Sequence, residues 1–169
     1  MSSLFGALQS DELLNPYAEL AKTASSTQDV NATSTTGTVY YISWDSQINV
    51  DTGFTHSTST NNTRLTIADA GVYLVIANIK LDNQQGATVR AMYSGLLRVN
   101  GTTVVDKGAF GNYSRGTSYN NYINVGVVTH LTVTSGQYIE AGVRLDHTGA
   151  AGSVNTADAS CQLIVRRIR

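Results

Sequence analysis

Residues 72–81, "VYLVIANIKL", are apolar on both of their alternating faces. A strand with one face on a core and one in water alternates apolar with polar residues. Here Val72, Leu74 and Ile76 fall on one face, and Tyr73, Val75, Ala77, Ile79 and Leu81 on the other. Only Asn78 and Lys80 interrupt the pattern. Both faces need cover, and no helical pattern follows residue 37 to supply it. The second face therefore points to another copy of the chain. The sequence leaves open which face is which: Tyr73, Val75, Ala77 and Ile79 are core or interface residues, and Val72, Leu74 and Ile76 take the other role.

Further strand signals surround this one. "VYYISW" (39–44) is β-branched and aromatic, and "TRLTI" (63–67) alternates. In "YINVGVVTHLTV" (122–133), Ile123, Val125, Val127, Leu131 and Val133 share a face. In "QYIEAGVRLD" (137–146), Ile139, Ala141, Val143 and Leu145 point inward, with Glu140, Gly142 and Arg144 outward. Asn100-Gly101 stands between short apolar runs, a strong hairpin-turn signal. "SCQLIVRRI" (160–168) supplies a final strand. Many short strands with no helical pattern between them predict an all-β sandwich or barrel over residues 38–169.

Residues 1–37 read as an extended, partly helical arm and linker. Leu4, Phe5, Leu8, Leu13, Leu14, Tyr17 and Leu20 are too few and too irregular for an independent core. "NPYAELAKT" predicts a short helix, with Asn15 as cap and Pro16 at the first helical position. The small polar residues that follow suit a linker. Burial of the seven apolar side chains calls for a partner surface, so they are expected to anchor the chain on a larger particle.

Composition narrows the function. Only 14% of the 169 residues are charged and the net charge is −1, against ~25% charged in an average domain. That balance gives no basis for binding nucleic acid or a membrane surface, and no run reaches the roughly 18 apolar residues of a membrane span. The amino terminus lacks the pattern of a signal peptide, which implies synthesis in the cytoplasm. The one cysteine, Cys161, sits among strand-forming residues and reads as a buried thiol.

No constellation marks out chemistry. His56, His130 and His147 lack metal-ligand spacing, and His130, in phase with Val128 and Thr132, reads as an outward or interface side chain. No serine stands in a nucleophile elbow, and no spacing singles out two carboxylates. No catalytic residue, metal site or cofactor is therefore assigned. The sequons at Asn31, Asn61, Asn100 and Asn112 are within chance for so Asn- and Thr-rich a chain. "DKGAFGNYSRGTSYNNY" (106–122) is the distinctive surface segment. Its Phe110, Tyr113, Arg115 and Tyr119 combine aromatic anchors with adaptable polar neighbours in what reads as a ligand loop.

"GFTHSTSTNNTRLTIADAGVYLVIANIKL" resembles the mid-domain signature of the tumour necrosis factor and complement globular-head jelly rolls, with Gly53, Phe54, Gly71 and Tyr73 matching. "LRVNGTTV" is similar to that family's next hairpin, and "LTVTSGQYIEAGVR" to its following step through Leu131, Val133 and Gly136. The resemblance covers residues 38–168. It implies a jelly-roll β-sandwich assembled as a homotrimer, the kind of head also found on bacteriophage virions. By analogy with some globular heads, Asp45 and Asp51 are calcium candidates, with ordinary turn aspartates as the plainer alternative. The resulting expectation is a virion protein: a trimeric capsid decoration or cement protein whose arm binds the major capsid protein or another virion protein. The alternative is the receptor-binding head of a tail fibre or spike, using loop 106–122 on a host surface glycan or protein.

Overall fold

β-Branched and aromatic residues at period two, broken by Gly, Asn and Thr turns, leave the backbone to be satisfied between strands. The computed structural model describes residues 15–23, 27–30, 35–83, 90–115, 122–148, 154–157 and 160–169. Among them no helix occurs. The first strands are β1 (Tyr17–Ala21), β2 (Val39–Tyr41), β3 (Ser46–Val50), β4 (Phe54–Thr55) and β5 (Leu65–Ile67). The long strands β6 (Gly71–Asp82) and β7 (Arg90–Val99) follow, then β8 (Thr103–Val105) and β9 (Ala109–Arg115). β10 (Tyr122–Val133), β11 (Tyr138–Thr148), β12 (Asn155–Thr156) and β13 (Gln162–Arg167) complete the order.

Hydrogen bonding runs β3-β1-β13-β6-β10-β9-β7-β11-β5-β4, with β12 on β6, β2 on β11 and β8 on β7. All of these pairings are antiparallel. Strand β9 turns the corner between two layers. Its start pairs with β10 (Phe110 opposite Gly126), and its remainder with β7 (Gly111 opposite Ser94 through Arg115 opposite Arg90). Glycine makes the corner possible: a side chain on Gly95 would collide with the Gly126 backbone. The β7–β8 hairpin turns at Asn100 (φ 48°) and Gly101 (φ 73°), the left-handed pair that a two-residue turn of this kind requires.

The core lies between the layers. Tyr73, Val75, Ala77, Ile79, Val125, Val127, Leu163 and Val165 come from one, and Tyr93, Leu97, Ile139, Ala141, Val143 and Leu145 from the other. Cys161 is buried as expected, 1% exposed, and burial pushes its thiol up to about 11.

Residues 15–23 correct the expected helix. Tyr17–Ala21 is strand β1, inserted between β13 and β3. Its period is two: Ala18 and Leu20 are fully buried, while Tyr17 is 38% exposed. Carboxylates fix both ends. Asp51 accepts the Tyr17 N–H (3.0 Å), and Asp45 accepts the Thr23 N–H (2.7 Å) and hydroxyl (3.1 Å). Lys22, itself buried, lies 3.8 Å from Asp45 and donates to the Ser43 carbonyl (2.9 Å). Leu20, expected in the particle anchor, is thus a core residue of the head. The expected linker is also held where it is described: Val30 is fully buried and donates to the Val154 carbonyl. Gln28 bridges the Tyr41 carbonyl and the Ser43 N–H with its side-chain amide.

Candidate interaction surface

Strand β6 lies between β13 and β10, and its register sets what surrounds each outward side chain. One cross-strand row runs Glu19, Ile164, Ile76, Val128; the next runs Tyr17, Arg166, Leu74, His130. The inward set of β6 is settled: Tyr73, Val75, Ala77 and Ile79 are at most 1% exposed and form core. The outward set, Val72, Leu74 and Ile76, is only half-buried, and Ile164 likewise. Val128 is 48% exposed. Phe110 extends the surface sideways, its ring close over Gly126, where a side chain would meet both that ring and the Ala77 carbonyl. A groove on this face is floored by Leu74 and Val128 and rimmed by Lys107 and His130. Beyond the groove, where β6 ends and β10 begins, Lys80 lies over the Tyr122 ring at 4.4 Å.

The flanks carry different polar groups, with the Arg166 cation on β13 between them. Glu19, on the β1 side, accepts a hydrogen bond from the Gln162 amide (2.6 Å). Lys107 and His130 lie on the β10 side. His130 therefore does point outward.

The predicted ligand loop is partly a strand. Gly111, Asn112 and Ser114 suggest a loop, but β9 takes its backbone partners from β10 and β7. Phe110 stands beside Gly126 on one layer and Tyr113 beside Met92 on the other, so the two anchors serve different surfaces. Arg115 pairs through its backbone with Arg90, and Tyr119 lies outside the described residues. So do Leu4, Phe5, Leu8, Leu13 and Leu14.

Asp45 and Asp51 are engaged by the ends of β1. The Tyr17 N–H and the Asn49 amide, in that order, hold the Asp51 carboxyl below its usual range. Among the described residues no group of three or more His, Cys, Asp or Glu could hold a metal ion. His56 is half-buried, which lowers its affinity for a proton, and its ring contacts Gln47 and the Asn62 carbonyl.

One cluster was not legible in the sequence. Glu140, expected to face water, is 2% exposed. It accepts from Arg98 Nε (2.7 Å) and the Thr63 hydroxyl (2.6 Å), with Arg64 Nε 3.7 Å away. Arg98 also lies over the Tyr41 ring (3.6 Å), and Arg64 over the Tyr138 ring (4.4 Å). A signal for this group would have required the β7–β11 register, which sets Arg98 opposite Glu140.

No family model and no curated protein matches the sequence. Its structure is similar to the crystal structure of murine APRIL, a tumour necrosis factor-family protein, with a TM-score of 0.54 over 90% of this chain and 99% of that one. Identity over the match is 11%, so the likeness speaks to the fold. The chain has the tumour necrosis factor-like jelly-roll fold.

Proposed function

We propose that this protein is a non-catalytic structural component of a bacteriophage particle, a homotrimeric capsid decoration or cement protein with a jelly-roll head. The observation that carries self-association is the outward face of β13-β6-β10, where Leu74, Ile76, Ile164 and Val128 form a continuous apolar surface with no third layer of described residues over it. Obligate interfaces bury on the order of 2,000 Å² or more with an apolar centre, which suits a whole sheet face. A contact in which the Glu19 flank of one copy meets the Lys107 flank of the next, without the reciprocal contact, is head-to-tail, and such contacts form a ring where the rotation between copies closes. Three members is the number that the resemblance to the tumour necrosis factor family implies. The particle assignment rests on the low-charge, Thr- and Asn-rich composition and on the run of apolar residues at 4–14, which this reading assigns as an anchor on a major capsid or other virion protein. Three weak arms on one trimer bind firmly through effective concentration.

Light scattering should report three chains of 18.0 kDa. Glu19→Lys and Lys107→Glu should each weaken the assembly, and the double reversal should restore it; a stable soluble monomer from the unaltered chain would overturn the trimer. Deletion of residues 1–14 should leave the trimer intact and abolish co-sedimentation with undecorated capsids. Undiminished co-sedimentation, or only a few copies per virion, would favour the receptor-binding head instead.

A further inference from the structure

On the opposite layer from the self-association surface, a cleft of about 210 Å³ opens among His56, Ser57, Thr60, Asn61, Arg64 and Tyr138. We propose that this cleft binds one acidic sugar residue, a carboxylate-bearing hexose or nonulose unit of a surface glycan. The site does not depend on trimer formation. It gives the receptor-binding reading a location other than segment 106–122.

The charge is the first reason. Two guanidinium groups, Arg98 and Arg64, share the one carboxylate of Glu140. Arg98 and Thr63 take the short hydrogen bonds. Arg64 stays 3.7 Å away, and among the described residues its guanidinium donates no hydrogen bond, although its side chain is 40% exposed. A cation in excess, with unused donors at the wall of a cleft, is suited to a ligand carboxylate in the paired geometry that guanidinium favours.

Rigidity is the second. Tyr138 is fixed by the β7–β8 turn: its N–H donates to Asn100 Oδ1 (2.9 Å), and its carbonyl accepts from the Asn100 N–H (3.0 Å). Its hydroxyl lies so close over Gly101 that a side chain there would clash. The Arg64 guanidinium rests on the Tyr138 ring, and the His56 ring is held by Gln47 and the Asn62 carbonyl. Little side-chain freedom is left to lose on binding.

The third reason is size and lining. Pockets for drug-sized ligands hold roughly 300–1,000 Å³, so this one admits a single ring. Ser57, Thr60, Thr66 and Asn61 offer donors and acceptors for ring hydroxyls, and a neutral His56 adds another polar edge.

The test uses the full chain and three probes, N-acetylneuraminic acid, glucuronic acid and glucose, followed by saturation-transfer NMR and calorimetry. At least one acidic sugar should bind, roughly tenfold or more tighter than glucose, since a charge-assisted pair is lost with the neutral probe. Arg64→Gln should remove that preference, and Arg64→Lys should restore part of it. Glu140 keeps Arg98 and Thr63 in both variants, so folding is retained. Thr60→Trp, at an exposed position, should fill the cleft and abolish binding with an unchanged melting temperature. No binding of either acid at about 50 mM, equal binding of glucose, or an Arg64→Gln variant that still prefers the acid would each overturn the proposal. Displacement by acetate at the same concentration as the sugar would reduce the site to a plain carboxylate site and overturn the sugar assignment.

Discussion

Strand β1 makes the amino-terminal segment part of the head, and Leu20→Ala measures how much. The Leu20 side chain is fully buried in the core cluster, with its backbone opposite Leu163 on β13 and Gln47 on β3. Leu→Ala substitutions in such sites cost about 2–5 kcal/mol, made up of the lost transfer free energy and the residual cavity. Leu20 lies in a strand near one side of the layer, where neighbours can partly collapse, so a value of about 3 kcal/mol is expected. Tyr17→Ala in the same strand is the matched control. Tyr17 is 38% exposed, and the hydrogen bond to Asp51 comes from its backbone, so the loss should stay within about 0.5 kcal/mol. Urea unfolding at one fixed protein concentration separates the two. With a slope of about 2 kcal/mol/M, Leu20→Ala moves the midpoint down by about 1.5 M and Tyr17→Ala hardly at all. Equal, small shifts for both would mean that β1 is not in the sheet and that the segment is a free arm after all. For the same reason a deletion through residue 30, which removes Leu20, Lys22 and Val30, should unfold the head.

Three more outcomes follow from the packing. Gly95→Ala places a methyl against the Gly126 backbone at the β7–β10 crossing and Gly126→Ala places one against the Ala77 carbonyl of β6, and soluble expression should fall sharply for both, while Gly136→Ser, in open space but at φ 79°, should fold with a modest loss. Cys161 should resist thiol reagents at pH 8 until the protein unfolds. Burial raises its thiol from 9.0 to about 11, so its contribution to stability is complete below 9 and is lost as pH climbs past about 11. The Asp51 carboxyl is held down by the Tyr17 N–H and Asn49; its contribution is present above 3.8 and disappears as pH falls through the lower folded value, so exchange protection of the Tyr17 amide should weaken as acid protonates that carboxyl. Asp51→Asn should remove that acid dependence.

The sequence made the long strands legible because their periodicity extends over many residues. The runs at 72–81, 122–133 and 137–146 appear as Gly71–Asp82, Tyr122–Val133 and Tyr138–Thr148, and Asn100-Gly101 forms its hairpin because those two residues tolerate positive φ. Five residues are too few to separate period 3.6 from period two. Tyr17, Leu20 and Ala21 share a helical side, whereas Ala18 and Leu20 share a strand face, and pairing with β13 and β3 decides between them. In "AFGNYSR" the local composition argues against a strand, and β9 exists because two neighbouring strands offer it backbone partners. Glu140 was misplaced for a related reason. Alternation assigns a face, and the face is indeed outward, but Arg98, Thr63 and Arg64 cover the carboxylate there.

The two-sided strand shows how far such reasoning reaches. Its inward set is resolved by contact with the opposite layer, since Val75 and Ala77 pack in one cluster with Ala141 and Val143. The outward set has neighbours only in its own layer. Ile164 and Val128 stand beside Ile76 in register, and lateral neighbours hide the flanks of a side chain and leave its tip. This is why Val72, Leu74 and Ile76 are half-buried rather than buried. Water at those tips costs about 25 cal/mol for each Å² of apolar area left uncovered, a cost that a single layer cannot remove however well its own residues pack. A second copy can remove it, and it need only be flat and apolar at the centre with opposite charges at its two edges. Glu19 on the β1 side and Lys107 on the β10 side supply part of that asymmetry, and Arg166 on β13 adds a cation between them.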